Sequence, residues 1–290
     1  MLGCMAALFS AASWALGGVL WRKIGDHISP YSMNLCKGVL GGIYIGIVLL
    51  IVGIDPVHSR DFIILGISGL IGISLGDTFF FMSLMQLGPR HAALMGALNP
   101  VAITIAAVVF LGERPASLVW LGIICTIGGI AWVLLGRLPH KTMVKSLKLG
   151  IRFSLLSVVC TAAGVILAKI GLRNVSSLQA TFIRLMCGAA GLTIWGLLRG
   201  HFTDWVKPFK DTRILKSVIG INLIVIFGGF WLSIYALKYI DASVAGPLNS
   251  LAPVLILPMV MIAFGENIPL RAVWGTLLAV LGVSLILMGY

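Results

Sequence analysis

Lys37, Asp77 and Arg184 stand inside long apolar runs, where an ionisable side chain needs a chemical reason to be. A charge in hydrocarbon is costly unless it pairs, faces water or snorkels to the headgroups. Lys37 and Arg184 each fall about seven residues into their runs, roughly 10 Å deep at the rise of a helix. Two cations at that depth can face a cavity and attract an anionic or zwitterionic small molecule. They can also snorkel or cap carbonyls, with no wider role. Asp77 is the one carboxylate deep in an apolar run, between Gly76 and Thr78. Its depth is similar to that of Lys37, so a Lys37–Asp77 pair would lower the burial cost of both. Alternatively, Asp77 binds and releases a coupling proton, as buried acids in membrane proteins do.

Other residues could shape or line the same place. Pro100 and Pro253 lie near the middle of their runs, and each removes a backbone donor and kinks a helix. Asn99 precedes the first, and Pro258 adds a second break near the other. Trp14, Trp231, Tyr235 and Asn249 are also mid-run and can face a polar cavity. Trp21, Trp120, Trp195 and Trp205 sit nearer the run ends, where an interfacial aromatic belt is the simpler account. Glu113 and Glu266 recur at corresponding turns, where a carboxylate stabilises a helix N-terminus.

Several chemistries lack their residues. No Walker loop, zinc-type His/Glu motif or G-x-S-x-G elbow occurs, so no catalytic set, cofactor or metal is expected. Cys4, Cys36, Cys125, Cys160 and Cys187 lie in apolar runs without metal spacing and read as packed free thiols. The formal net charge of +12 would suggest nucleic acid in a soluble protein. Here the basic residues collect between apolar runs, where they match anionic headgroups instead.

The elements that must position these residues follow from composition. Of the 290 residues 59% are hydrophobic and 10% charged, with mean hydropathy +1.08. About 20 apolar residues of helix cross a bilayer core. Ten such runs are visible, at about Leu2–Trp21, Tyr31–Gly53, Phe62–Leu87, His91–Leu111, Leu118–Gly136, Leu147–Ala168, Ser177–Leu198, Ile214–Leu237, Ala242–Phe264 and Leu270–Tyr290. Backbone groups in lipid must bond internally, and no short alternating strands appear, so the spans are helices. The first is too long and uninterrupted for a cleaved signal and is expected to be retained.

The second half repeats the first. A shift of 153 lays Pro100 on Pro253, Leu111-Gly112-Glu113 on Phe264-Gly265-Glu266, and Gly122, Gly129 and Gly136 on Gly275, Gly282 and Gly289. It also lays Gly76 on Gly229 and Asp77 on Phe230. Nearer the start of each half a shift of 147 lays Gly3 on Gly150, Arg22 on Lys169 and Lys37 on Arg184. A duplicated unit with an odd number of spans inserts twice in opposite orientations, and a substrate site is expected between the halves near the midplane. The division is a first repeat over 1–136, a basic linker over 137–146 and a second repeat over 147–290.

The strings MGALNPVAITIAAVVFLGERPASLVWLGIICTIGGIAWVLLG and PLNSLAPVLILPMVMIAFGENIPLRAVWGTLLAVLGVSLILMG resemble the closing segments of two EamA repeats, from the drug/metabolite transporter superfamily. Trp14 followed by Arg22-Lys23 fits the opening helix, and Arg184 occupies the family's usual arginine position, with Lys37 as a departure in the first repeat. The resemblance implies an all-α membrane protein of two inverted five-helix repeats. It implies a secondary transporter, by inference an exporter, of a small polar metabolite, amino acid or drug-like compound. The implied partners are that substrate, the cell (inner) membrane and a coupling proton, in a monomer or homodimer without nucleic acid. A membrane-embedded lipid-modifying enzyme or a non-transporting accessory protein is the alternative; the first would need clustered polar residues near one face, and these are missing.

Orientation is the first point open to test. Loops 22–30, 137–146 and 199–213 share one side of a ten-span arrangement and carry Arg22, Lys23, Arg137, Lys141, Lys145, Arg199, Lys207, Lys210 and Arg213. The other side shows few basic residues, among them Arg60, Arg114, Arg173 and Lys238. By the positive-inside rule the rich loops are cytoplasmic and both termini external. The family resemblance implies the reverse. A cysteine placed in loop 199–213 should therefore resist an impermeant label added outside the cell, and labelling there would overturn the charge-based orientation.

Overall fold

The computed structural model describes residues 1–24, 28–96, 98–134, 146–252, 254–255 and 270–289. Pro253, Pro258, Glu266 and all but the last residue of the expected basic linker lie outside the described residues.

Side-chain caps open several helices. α1 spans Leu2–Ile24 and α2 spans Pro30–Val52. Ser29 Oγ accepts from the Ser32 backbone N–H at 3.1 Å, Pro30 takes the first turn, and Gly53 ends α2 at φ 101°. After α3 (Ser59–Gly69) come a π-helical stretch over Leu70–Gly76 and α4 (Asp77–Gly96). α5 (Asn99–Ala106) continues as π-helix over Ala107–Leu111, and α6 spans Ser117–Leu134. Ser146 and Ser176 cap α7 (Leu147–Gly171) and α8 (Ser177–Leu198). A short α9 (Phe202–Val206) and a 3-10 turn lead to α10 (Thr212–Leu223), capped by Asp211. A third π-helical stretch, Ile224–Trp231, joins α10 to α11 (Leu232–Tyr239). α12 (Ala242–Asn249) and α13 (Leu270–Gly289) complete the described helices.

Every expected span meets helix, although the ninth is described only at its start. Among the described residues, five helical stretches are long and apolar enough to cross a membrane, and four shorter ones are apolar. Large apolar side chains such as Leu50, Ile51, Phe110 and Leu198 stand exposed on their outer faces, as a lipid-facing surface requires. One boundary differs from the sequence reading. The expected break between Leu87 and His91 is not a break, because α4 runs on to Gly96. The interruption comes later, around Leu98, where the Leu98 N–H bonds to the Met95 carbonyl and Pro100 opens a new helix. Trp205 is a second correction. It is buried and stacked on Tyr31 with centroids 4.9 Å apart, packed against Gly196 rather than standing in an interfacial belt.

The halves are related by a two-fold exchange that individual bonds record. Ser10 Oγ on α1 donates to the Gly229 carbonyl at 2.7 Å, and its repeat counterpart Ser157 on α7 donates to the Gly76 carbonyl at 2.9 Å. Gly3 packs against Ile240 as Gly150 packs against Leu87. The first helix of each half thus lies on the third span of the other, as inverted repeats demand.

Glycines set how closely these helices approach. A side chain at Gly164 would meet the Gly72 Cα at 2.8 Å, and one at Gly38 would meet Ala189 Cβ at 2.9 Å. The tightest run joins α6 to α13. A Cβ on Gly122 would lie 2.6 Å from the Gly282 carbonyl, and one on Gly129 would lie 2.5 Å from the Gly275 carbonyl and the Ala279 amide nitrogen. These obstacles are backbone and cannot rotate aside, so close packing of small residues holds the pair. Gly129→Leu should therefore destabilise the protein by about 1–3 kcal/mol or more, read as a lower thermal midpoint in detergent. Gly220→Ala, at a glycine with open space around it, should show no such loss.

Candidate functional site

Two of the π-helical stretches occupy corresponding places in the repeats and end beside Asp77 and at Trp231. A π turn widens the helix and re-aims the side chains that follow it. Between them lies a cavity of about 320 Å³, lined among others by Trp14, Asp77, Asn99, Arg184, Phe230 and Asn249. That volume is at the small end of those that hold ligands.

The glycines of the third span build this centre. Gly69 lets the backbone of Arg184 approach so closely that a Cβ there would meet its carbonyl group. Gly72 faces both Gly164 and the Arg184 Nη2, and Gly76 faces Cys160 and Thr161. Serines lock the same contacts: Ser74 Oγ donates to the Gly188 carbonyl and Ser68 Oγ to the Gly164 carbonyl, both at 2.6 Å.

Lys37 Nζ reaches Asp77 Oδ2 at 2.6 Å and lies 4.8 Å from the centroid of the Phe230 ring. Phe230 in turn meets Trp14 edge-on at 5.1 Å. Lys37 thus touches both Asp77 and the residue that stands in its place in the second repeat. Arg184, the repeat counterpart of Lys37, is 7% exposed. Its Nε has no hydrogen-bond acceptor among the described residues, and it enters none of the ion pairs found among them. Asn99 Oδ1 and Asn249 Oδ1 are also buried without a partner among the described residues, and Asn249 Nδ2 is 3.1 Å from Ser233 Oγ.

The structure therefore brings Trp14, Lys37, Asp77, Asn99, Arg184 and Asn249 together. Trp231 and Tyr235 are not on the cavity wall. Trp231 Nε1 donates to Ser177 Oγ at 3.1 Å, and Tyr235 packs between Trp231 and Tyr239. Pro100 opens the helix that carries Asn99, and Pro253 lies outside the described residues. The free cysteines take no part. Phe230 was visible in the sequence only as the residue opposite Asp77; its contact with Lys37 needed the fold.

A polar cluster lines a second cavity, of about 370 Å³, and sequence reasoning found only part of it. Glu113 was expected to support a helix N-terminus. The helix is α12 of the other half: Oε1 accepts from the Ala242 N–H at 2.8 Å and Oε2 from the Ser243 N–H at 2.9 Å. Lys169 Nζ donates to the Leu237 and Ile240 carbonyls at 2.7 Å each, closing the end of α11, and Lys238 Nζ donates to the Val175 carbonyl at 2.7 Å. Asp241 completes the cluster. Crowding by the surrounding protein pushes its carboxyl above the ordinary value; nearby Glu113 adds to this and Lys169 opposes it. Lys169 could be found in the sequence only as the residue aligned with Arg22.

A helical membrane protein with a polar cavity between two inverted halves is the class these features define. The EamA-like transporter family matches residues 1–135 and 148–288, and the chain belongs to that family. It is a multi-pass membrane transporter of the drug/metabolite type. Among curated proteins it is 25% identical over 287 residues to the uncharacterized transporter YyaM of Bacillus subtilis, covering 96% of this chain and 88% of that one. It is also 25% identical over 256 residues to the protein LicB of Haemophilus influenzae, covering 83% of each. One solved crystal structure superposes with a TM-score of 0.78 over 99% of this chain and 98% of the other, at 17% identity, a likeness of fold alone.

The Glu113 bridge gives a direct prediction. Removing a carboxylate that caps two amides costs about 1–2 kcal/mol. Glu113→Ala should lower the thermal midpoint and speed hydrogen exchange at the amides of Ala242 and Ser243, leaving the caps at Ser29 and Ser176 unaffected.

Proposed function

We propose that this protein is a secondary transporter, acting as an exporter, that moves a small polar metabolite, amino acid or drug-like compound across the cell (inner) membrane. It works by alternating access between the two halves, as a monomer or a homodimer. The observation that carries this reading is the cavity between the halves, bordered by helices whose interruptions fall at corresponding places. Unwound and widened helices beside a midplane cavity are how transporters expose backbone and polar side chains to a substrate. Trp14, Asn99, Arg184 and Asn249 are its substrate-facing residues in this proposal.

Asp77 is assigned the coupling role. In the state described here the ammonium of Lys37 lies 2.6 Å from the carboxylate. If the halves rock so that the pair separates, a carboxylate left in a low-dielectric site takes up a proton. Closing the pair expels it. One proton then crosses with each cycle, and an inward proton gradient drives efflux by exchange.

Metabolite profiling of cells with and without the protein should single out candidate substrates, and the best of them should show flux in proteoliposomes. No flux of any of them would overturn the transport reading. Asp77→Asn should abolish flux driven by an imposed proton gradient while preserving folding and substrate exchange. Full gradient-driven flux in that variant would remove Asp77 from the coupling step.

A further inference from the structure

Arg184 is a buried cation whose symmetry-related carboxylate is missing. In the first repeat, Lys37 on the second span meets Asp77 on the third at 2.6 Å. The corresponding positions of the second repeat hold Arg184 and Phe230. Phenylalanine offers no counter-charge, and Asp77, the one carboxylate lining the cavity among the described residues, is already engaged by Lys37. Asp77 attracts Arg184 as well, but among the described residues bonds only to Lys37, so the three residues together carry one net positive charge. A guanidinium does not discharge by losing a proton in a protein. Its Nε is buried without an acceptor among the described residues, and its side chain lines the cavity. A desolvated charge of this kind is tolerated when a partner arrives to satisfy it.

We infer that Arg184 anchors an anionic group of the transported molecule, a carboxylate or a phosphate. This rests on the transport reading and names the chemistry of its substrate. The planar fork of the guanidinium suits either group, because both present paired oxygens at matching spacing. Gly72, without a side chain, leaves room beside Nη2 for those oxygens. Asn99 and Asn249, each with a buried carboxamide oxygen lacking a partner, stand on the same cavity wall to accept hydrogen bonds from the rest of the molecule. The cavity of about 320 Å³ restricts that remainder to a small skeleton.

The test uses the full chain in phosphatidylcholine nanodiscs at matched chloride ionic strength. Binding is read as the concentration-dependent rise in thermal midpoint with two pairs of probes, lactate against lactamide and glycerol 3-phosphate against glycerol. At least one anion should protect the wild type and its neutral counterpart should not. Protection by lactate alone identifies a carboxylate, and protection by glycerol 3-phosphate alone a phosphate. Arg184→Gln should weaken that binding about tenfold or more, and Arg184→Lys should restore part of it by returning the charge without the fork. The inference falls if neither anion protects, if the neutral probes protect as well as the anions, or if Arg184→Gln keeps the wild-type affinity. The comparison within the wild type stands even where Arg184→Gln does not fold. Proteoliposome flux separates this from the broader reading. Flux without preference for anions overturns the role of Arg184 alone, and anion binding without flux overturns transport alone.

Discussion

The near-contact of helix backbones at the third span is the constraint from which the centre of the molecule follows. Gly69 lies against the carbonyl group of Arg184, and Gly72 against Gly164. A side chain at Gly69 would push α8 outward, and one at Gly164 would push α7 away from Gly72. With the helices this close, the serine hydroxyls of Ser68 and Ser74 reach carbonyls on the opposing helices. In a medium that offers no water, those hydrogen bonds and the dense van der Waals contact replace the hydrophobic effect as the source of cohesion. The same closeness carries Arg184 into the wall of the cavity. Packing and site chemistry are one construction here.

Duplication supplies two equivalent frames, and the site depends on where they differ. The backbone contacts obey the two-fold exchange, down to the paired bonds of Ser10 and Ser157. The charged residues do not. Lys37 collects both Asp77 and Phe230, while Arg184 keeps neither at bonding distance. A symmetric frame gives both faces of the membrane equivalent architecture. An asymmetric filling gives the cavity a polar lining that no longer obeys the two-fold exchange.

Much of this was readable in the residues before the fold was known. Apolar run length revealed the spans, because hydrocarbon accepts little except helix, and the two registers revealed the inverted halves. The similar depth of Lys37 and Asp77 put their pairing beside a coupling carboxylate as one of two readings, and the fold brings the two side chains together. Other features were hidden for physical reasons. Trp205 looked interfacial because a run end marks depth, not whether a short helix folds back over its neighbour. Trp231 and Tyr235 are at cavity depth, but the side of a helix that a residue occupies shifts across a π turn, and periodicity does not show that turn. The break near Leu98 was displaced from the expected loop because α4 carries Gly88 and Pro89 within it and runs on to Gly96. Glu113 was recognisable as a capping residue, yet only the fold could show that it caps the other half.

The α6–α13 pair carries a consequence of a different kind. Gly122 meets Gly282 and Gly129 meets Gly275, and the repeat register turns each of these contacts into the other. An interface in which residue i touches j while the twin of j touches the twin of i is isologous, the form that joins identical subunits about a two-fold axis. Here both partners lie on one polypeptide. The seam is that of a homodimer whose subunits have been fused, and each half still bears the surface that recognises its own likeness. Fusion removes the need for two chains to find each other at low concentration in the bilayer. It also frees each half to diverge, because a change such as phenylalanine for aspartate at one position no longer appears automatically at the other.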